Sequence, residues 1–458
     1  MACGGKERMK AGLESLIESG RVLTEPEELV TYAYDATEHR CLPEAVLRPV
    51  SEEEVVRIVR YAAEEGIAVT ARGAGTSLSG CAVPCEGGIV IDMNLMGRIK
   101  AVDEANRLAT VEPGVVYGRL NEELSSRGLF FPPDPGSGSV CTIGGMVSTN
   151  ASGIRAVKYG TTRDYVQKLR VVTGSGEVVE LGSLAPKSSN GYDLIGLFVG
   201  SEGTLGVVTE ITLRLKKRPT SFAAASVSFG SMEEAGRAVG RIIARGLDPS
   251  VLELMDEATL RVVKLYQDID VEGRAVLLME MDGFTEEAVK ERLEEAVRIC
   301  TGTGAVEVKR ASTESERTAL WRARRAAFPS LARYRPTLVL EDVTVPISRL
   351  PEMLAEIERI SGAHGIEIAT FGHAGDGNLH PTMLVDSRNK AEMEQAKEAM
   401  DDLFRSALAL GGTLTGEHGI GLSKKAYSRL EHGGAIEVME QIKKVFDPKG
   451  IMNPGKGF

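Results

Sequence analysis

Two glycine-rich segments carry three of the six histidines of this 458-residue chain. The segment GHAGDGNLH contains His373 and His380, and the segment TGEHG contains Glu417 and His418. Imidazole and carboxylate groups are ligands that suit Zn²⁺, Mn²⁺, Fe²⁺ or Co²⁺. The alternative is a set of separate loop histidines with surface hydrogen bonds, since most histidines are not metal ligands. Their concentration in two such segments favours a metal site.

The backbone must bring these side chains together. Six residues separate His373 from His380, so the pair does not have the spacing of an HExxH helix, and a Gly-Asp-Gly turn could fold both onto one centre. On a regular strand, Glu417 and His418 would point to opposite faces. Because glycines flank them, a loop that directs both side chains to one site is permitted. We therefore expect all four residues in loops.

A third glycine-rich segment, RGAGTSLSG, spans residues 72–80 and follows a predicted strand. Its glycines leave backbone N–H groups uncovered, and its hydroxyl side chains add donors. Both features are needed to bind a pyrophosphate. The segment matches neither GxGxxG nor GxxxxGK[ST]. A simple turn is the alternative interpretation.

Net charge, hydropathy and cysteine spacing limit which classes of function are expected. The net charge of −11 argues against a nucleic-acid partner bound through its phosphates. No apolar run approaches the ~18 to 20 residues that cross a bilayer, and residues 1–10 show no signal-peptide pattern, so we expect a cytoplasmic protein. A peripheral membrane contact through a partner stays open. The six cysteines form no CxxC pair, so no iron–sulfur or zinc-finger framework is expected on this chain.

Helices and strands alternate along the chain, which predicts an α+β or α/β fold. Residues 51–66 predict a helix in which Ser51 is the N-cap and Glu54 completes a capping box. A hairpin is expected at residues 173–176, and Pro219 marks a boundary. After it, β-α-β units predict a ferredoxin-like layer with helices on one sheet face.

Five motifs in residues 72–215 resemble the FAD-binding domain of the vanillyl-alcohol oxidase/p-cresol methylhydroxylase family. They are RGAGTSLSG, PPDPGS, TIGGMVSTNASG, YGTTRDYV and GSEGTLGVVTEITLRL. The resemblance implies an N-terminal helical segment (1–39), an FAD-binding domain (40–218), a substrate or cap domain (219–410) and a C-terminal segment (411–458) that completes the active site. Because His39 is the only histidine of the N-terminal half, we expect non-covalent FAD.

The same resemblance implies which residues contact FAD. The pyrophosphate group would be wrapped by Arg72, Gly73, Gly75, Thr76 and Ser77. The ribityl chain and flavin would lie along Pro133, Asp134 and Ser137, and further lining would come from Thr142, Gly144, Gly145, Asn150 and Ser152. The adenine half would meet Glu202, Gly203, Gly206 and Val207, and Asn453 would approach the flavin.

The C-terminal half resembles the FAD-linked D-2-hydroxyacid dehydrogenases in the segments EDVTVPISRLPEM, GHAGDGNLHP, GGTLTGEHGIGLSK and DPKGIMNPGK. The resemblance implies His373, His380 and Glu417 as ligands of a divalent metal (Zn, Mn or Fe) and His418 as the catalytic base. In WRARRAAFP, Arg324 would bind the substrate carboxylate, although a solvated helix face is the alternative. Leu340 replaces a lysine that the hydroxyglutarate members carry, which favours a short monocarboxylate.

These resemblances predict FAD-dependent oxidation of a D-2-hydroxy acid, with D-lactate or glycolate favoured, to the 2-oxo acid. Without a nicotinamide motif, the electron acceptor is expected to be quinone, a cytochrome, an electron-transferring flavoprotein or an iron–sulfur subunit. A homodimer is left open. Two alternatives remain: an FAD-dependent transferase of the alkyl-glycerone-phosphate synthase type, and an electron-relay flavoprotein subunit.

Overall fold

The computed structural model describes residue 10, residues 12–311 and residues 313–458. The segment on which the signal-peptide prediction rests lies mostly outside these residues. The chain divides into two compact units. The first comprises residues 1–152, 161–218 and 417–458, and the second comprises residues 153–160 and 219–416. The boundaries of the four predicted segments stay predictions.

The first unit contains two main sheets. One is a mixed four-stranded sheet in the order Val22–Leu23, Ala45–Leu47, Ile89–Asp92, Val69–Arg72. The other is an antiparallel five-stranded sheet in the order Ile99–Asp103, Leu108–Val111, Gly206–Arg214, Val166–Thr173, Val178–Gly182, and a short pair joins Leu129–Phe130 to Lys216–Lys217. The helices of this unit are Pro26–Leu29, Glu52–Glu65, Tyr117–Ser125, Ile143–Thr149, Leu194–Phe198, Ser428–His432 and Ala435–Phe446.

Helix Glu52–Glu65 follows the predicted pattern in its core and at both ends. Its apolar stripe is buried, Ser51 accepts the Glu54 N–H, and Gly66 ends the helix at φ +68. The predicted capping box is wrong, because the Glu54 carboxylate instead accepts the Val50 N–H and pairs with Arg21. A charged partner outside the helix therefore outcompetes the local backbone contact.

The second unit is built on one antiparallel sheet. Its strand order is Ala305–Ala311, Ser221–Phe229, Ala275–Gly283, Val251–Met255, Ile368–His373, Asn378–Val385, Thr337–Leu340, with Val343–Thr344 also paired to Asn378–Val385. The first four strands have the order of a ferredoxin-like unit, which confirms that prediction. Its helices are Ala156–Tyr159, Met232–Ala244, Glu257–Tyr266, Glu286–Thr301, Glu314–Tyr334, Leu350–His364 and Lys390–Ala409.

Helices cover both faces of this sheet, so the predicted single helical layer is wrong. On one face, Met255 and Leu278 pack with helices Glu257–Tyr266 and Glu314–Tyr334. The neighbours of these residues along the strands point to the opposite face of the sheet and are also buried. On that face, helices Met232–Ala244 and Glu286–Thr301 contact the sheet. The sequence pattern did not reveal helix Glu257–Tyr266, which supplies part of the second layer.

None of the helices in the described residues combines the length and the apolar character that a bilayer crossing requires.

Candidate functional site

Arg72 ends strand Val69–Arg72 and begins the glycine-rich segment of residues 72–80. Its side chain is buried, and its Nη1 donates to the Ala82 carbonyl at 3.2 Å. Burial lowers the pKa of Arg72, because a low-dielectric environment disfavours its charge. Gly75 has φ +71, and a Cβ there would lie 2.2 Å from Arg72 Nη2. The charges of Asp35 and Asp92 oppose the effect of burial by raising the pKa of the guanidinium.

The segment TIGGMVSTNASG, residues 142–153, packs directly on the segment of residues 72–80. Thr142 caps helix Ile143–Thr149 by accepting the Gly145 N–H at 3.2 Å. A Cβ on Gly73 would lie 2.3 Å from Thr142 Oγ1, and one on Gly144 would lie 2.5 Å from the Cβ of Pro113. A side chain at Gly73 would therefore push residues 72–80 away from Thr142, and one at Gly144 would push its helix away from Pro113. This close backbone approach beside a buried cation fits an FAD diphosphate.

Several residues expected to line FAD have side chains that are engaged within the first unit. Asn150 accepts hydrogen bonds from the Thr161 hydroxyl and the Arg163 N–H. The buried Glu202 carboxylate accepts the N–H groups of Ile420 and Gly421 at 2.7 and 2.9 Å. Burial raises the pKa of Glu202, although these N–H groups oppose that effect. Glu202 thus holds the TGEHGIG segment by its backbone.

Asn453 has φ +40 and uses all four hydrogen-bonding positions of its amide. Its Nδ2 donates to the carbonyls of Cys81 and Glu202, and its Oδ1 accepts from Thr70 and Lys456. Asn453 therefore joins four separate segments. Its predicted approach to the flavin stays a prediction, as do the roles of the other predicted lining residues of this unit: Thr76, Ser77, Pro133, Asp134, Ser137, Ser152, Gly203, Gly206 and Val207.

Glu417 and His418 lie in an irregular segment, as predicted. The Ser152 hydroxyl donates to Glu417 Oε2 at 2.9 Å, and Glu417 Oε1 lies 3.5 Å from His418 Nε2. The Ser79 hydroxyl donates to the His418 carbonyl at 2.8 Å. The first unit therefore brings the predicted base and the predicted acidic ligand together.

His373 and His380 lie on neighbouring strands of the second unit, so the predicted loop positions are wrong for this pair. His373 ends strand Ile368–His373, and His380 lies inside strand Asn378–Val385. The strand register pairs His380 with Phe371 and sets the two imidazole rings 5.1 Å apart between centroids. Both side chains are buried. A short turn between the strands, closed by Gly377 at φ +79, performs the predicted folding of one histidine onto the other.

A fully buried carboxylate, Glu253, connects His373 to Arg324. Glu253 lies opposite His373 in the sheet, and its Oε1 is in hydrogen-bond contact with His373 Nδ1. Its Oε2 accepts from Arg324 Nε at 2.6 Å. Burial alone would raise the pKa of Glu253, but the charges of His373 and Arg324 outweigh burial and lower it. Arg324, predicted to bind substrate, is thus also the counter-ion of a buried acid.

A second buried carboxylate, Asp342, stands beside His380. Its Oδ1 lies 3.8 Å from His380 Nδ1 and accepts from Asn378 Nδ2 at 2.6 Å. Its Oδ2 accepts the Thr415 hydroxyl and the Gly416 N–H at 2.6 and 2.9 Å. Asp342 thus fixes the end of the TGEHG segment that belongs to this unit.

The sequence interpretation missed Glu253, Asp342 and Asn378. Glu253 is the one charged residue in the apolar strand VLELM, and that anomaly was the available signal. The two histidines with buried acids behind them fit a divalent metal of the zinc or manganese type. When Nδ1 of His373 donates to Glu253, Nε2 carries the lone pair, which is the arrangement of metal-ligating histidines.

Two family models match the chain. The model described as "FAD binding domain" matches residues 43–182, and the model described as "FAD linked oxidases, C-terminal domain" matches residues 218–457. The chain therefore belongs to the FAD-linked oxidase family and is an FAD-dependent oxidoreductase. The predicted family and enzyme class are confirmed.

Among curated proteins, the glycolate oxidase subunit GlcD of Bacillus subtilis (strain 168) is 44% identical over 94% of this chain and 92% of its own length. The mitochondrial D-lactate dehydrogenase [cytochrome] of Arabidopsis thaliana is 37% identical over 91% of this chain and 73% of its own length. Among solved structures, p-cresol methylhydroxylase with substrate bound has a TM-score of 0.80 at 16% identity and covers 100% of this chain and 97% of that chain. This structural likeness confirms the predicted fold class.

Proposed function

We propose that this protein oxidises a short D-2-hydroxy acid, D-lactate or glycolate, to the corresponding 2-oxo acid. The observation that carries the proposal is the buried pair of histidines in the second unit, with Glu253 and Asp342 behind it. Relatives named glycolate oxidase subunit, D-lactate dehydrogenase and D-2-hydroxyglutarate dehydrogenase support the substrate class.

His373 and His380 would hold a divalent metal. Glu417, which follows Gly416 directly in the chain, would supply the carboxylate ligand that the family motif implies. A bound metal would polarise the substrate hydroxyl and lower its pKa, whereas bound FAD would supply the hydride acceptor. The buried imidazole of His373 is a pre-oriented ligand, because Glu253 fixes its ring.

His418 is the proposed general base. A neutral imidazole can take the hydroxyl proton of the substrate, a contribution of typically ~10²- to 10⁴-fold in rate. The bond from Ser79 to its backbone carbonyl holds the residue in place. The neighbouring carboxylate of Glu417 would stabilise the imidazolium that forms.

Arg324 is proposed to bind the substrate carboxylate through its two Nη groups while its Nε stays on Glu253. A bidentate contact of this kind fixes the orientation of a carboxylate and therefore which face of C2 reacts. Leu340 ends strand Thr337–Leu340 and packs against an apolar cluster, which supports a substrate without a second carboxylate. The D preference rests on the family resemblance.

The electrons would pass to a non-nicotinamide acceptor: quinone, an electron-transferring flavoprotein or an iron–sulfur subunit. The proposed setting is cytoplasmic, with any membrane contact made through such a partner.

The test is the flavin spectrum of the purified protein under anaerobic conditions. D-lactate or glycolate should bleach the flavin absorption, and L-lactate should not. Chelation should abolish bleaching, and added Zn²⁺ or Mn²⁺ should restore it. If FAD is bound and none of the 2-hydroxy acids bleaches it, the proposal is refuted.

A further inference from the structure

Asp282 is a fully buried carboxylate that none of the roles above uses. It lies near the end of strand Ala275–Gly283, and its side chain is 0% exposed. Its Oδ1 accepts a hydrogen bond from Lys158 Nζ at 2.6 Å, and its Oδ2 accepts one from the Tyr159 hydroxyl at 2.7 Å. A buried charge is costly unless it is paired and hydrogen-bonded, so Asp282 depends on these two consecutive residues.

Both donors belong to a short excursion of the chain. Residues 153–160 leave the first unit and join the second, where Ala156–Tyr159 forms a single helical turn. A helix of this length is not stable by itself in water, so contacts with its surroundings must hold it. The two donors bind both oxygens of one carboxylate, and this arrangement fixes the helix on the sheet of the second unit.

Val157 of this helix packs on the turn that joins the two histidine strands. That turn, Ala374–Asp376, contains Gly375, which is buried. A Cβ on Gly375 would lie 2.5 Å from Val157 Cγ2 and 3.1 Å from the Cβ of Leu252. The glycine therefore lets the valine side chain lie directly on the backbone of the turn.

The same turn determines how the two proposed metal ligands are placed. It begins directly after His373, and His380 follows it by four residues. Metal ligands must be held within about 0.5 Å of their productive positions by tightly packed neighbours. Because protein interiors are close-packed, loss of the contact on Gly375 would leave a void into which the turn can move.

We propose that Val157 is a positioning residue for the metal-binding pair, His373 and His380. Its own position is held by the two hydrogen bonds that its helix donates to Asp282. The side chain of Val157 acts through the turn, because it limits how far the turn can move and therefore how far apart the two imidazole rings can lie. This inference rests on the proposed metal site.

The test measures the affinity of the full-length protein for Zn²⁺ by isothermal titration calorimetry, after a chelator has removed bound metal. Val157→Ala and Lys158→Met should each weaken Zn²⁺ binding by roughly 10-fold, the lower end of the loss that follows when the support behind a metal ligand is removed. Lys158→Arg keeps a cation within reach of Asp282 and should retain most of the affinity. If Lys158→Met does not fold by circular dichroism, Val157→Ala decides.

Val308→Ala is the matched control and should leave Zn²⁺ affinity unchanged. Val308 is also a partly buried valine of the second unit, but it lies in the edge strand Ala305–Ala311, four places from the strand of His373. Gly375→Ala provides a second test, because its new Cβ would press on Val157 and should weaken Zn²⁺ binding. Combining Gly375→Ala with Val157→Ala relieves part of that clash, so the double variant should lose less affinity than the product of the two single losses.

Three results would overturn the inference. One is a lower melting temperature with unchanged Zn²⁺ affinity in Val157→Ala and Lys158→Met, because the contact with Asp282 would then serve stability alone. Another is a loss of affinity in Val308→Ala as large as that in Val157→Ala. The third is a double variant whose loss equals the product of the single losses. If the wild-type protein binds neither Zn²⁺ nor Mn²⁺, the proposed metal site itself fails, and the inference fails with it.

Discussion

Replacing Glu253 by glutamine should destabilise the second unit strongly. Glu253 is 0% exposed, and the Arg324 side chain that it pairs with is only 16% exposed. A glutamine has one acceptor oxygen, so it cannot satisfy the donors of both Arg324 and His373. Removing one partner of a buried ion pair costs about 3 to 5 kcal/mol. Metal affinity should fall by roughly 10- to 100-fold, since His373 loses its orienting acid.

The assay is urea unfolding followed by the single tryptophan of the chain, Trp321, which lies in the same helix as Arg324. Glu294→Gln is the matched control, because it breaks an ion pair with Arg310 in which both side chains are nearly half exposed. Such a pair is worth about 1 kcal/mol or less. If Glu253→Gln costs no more than this control, the interpretation of Glu253 as a buried counter-ion is refuted.

Three further outcomes are expected. Gly75→Ala should lower the FAD content of the purified protein, because the new Cβ would strike the buried guanidinium of Arg72. The control is Gly128→Ala, because Gly128 also has a left-handed backbone but its Cβ would meet open space, so this variant should lower only the melting temperature. His380→Gln should lose metal by elemental analysis, and the His364→Gln control should retain it. Burial raises the pKa of Asp256 to about 6, so the folded state keeps the carboxyl proton to a higher pH than the unfolded state does. Between about pH 4 and pH 7, the free energy of unfolding of the wild type, measured in urea, should therefore fall by about 3 kcal/mol relative to that of Asp256→Asn. A difference between the two proteins that does not change with pH would contradict this.

The features that the sequence predicted correctly are those that short-range patterns determine. Helix Glu52–Glu65 has its N-cap, stripe and glycine stop within 16 residues. The turn between strands Val166–Thr173 and Val178–Gly182 is specified by its own glycines.

The features that the sequence did not reveal depend on partners far along the chain. Glu253 meets His373 across 120 residues, and only the strand pairing brings them together. The glycines around His373 and His380 suggested loops, but hydrogen bonding to neighbouring strands kept both residues in the sheet. A single sequence contains no direct signal of which strands will pair.

The path of the chain through the two units sets an order for synthesis. All segments of the second unit, which ends at residue 416, are translated before the last segment of the first unit. The core of the first unit includes Ile451 and Met452. Met452 forms an isolated β-bridge with Val69, the first residue of strand Val69–Arg72. The earlier part of the first unit therefore keeps apolar surface exposed while the second unit is translated and folds. A released chain that ends at residue 416 would thus expose a chaperone-binding surface in the first unit, and not in the second.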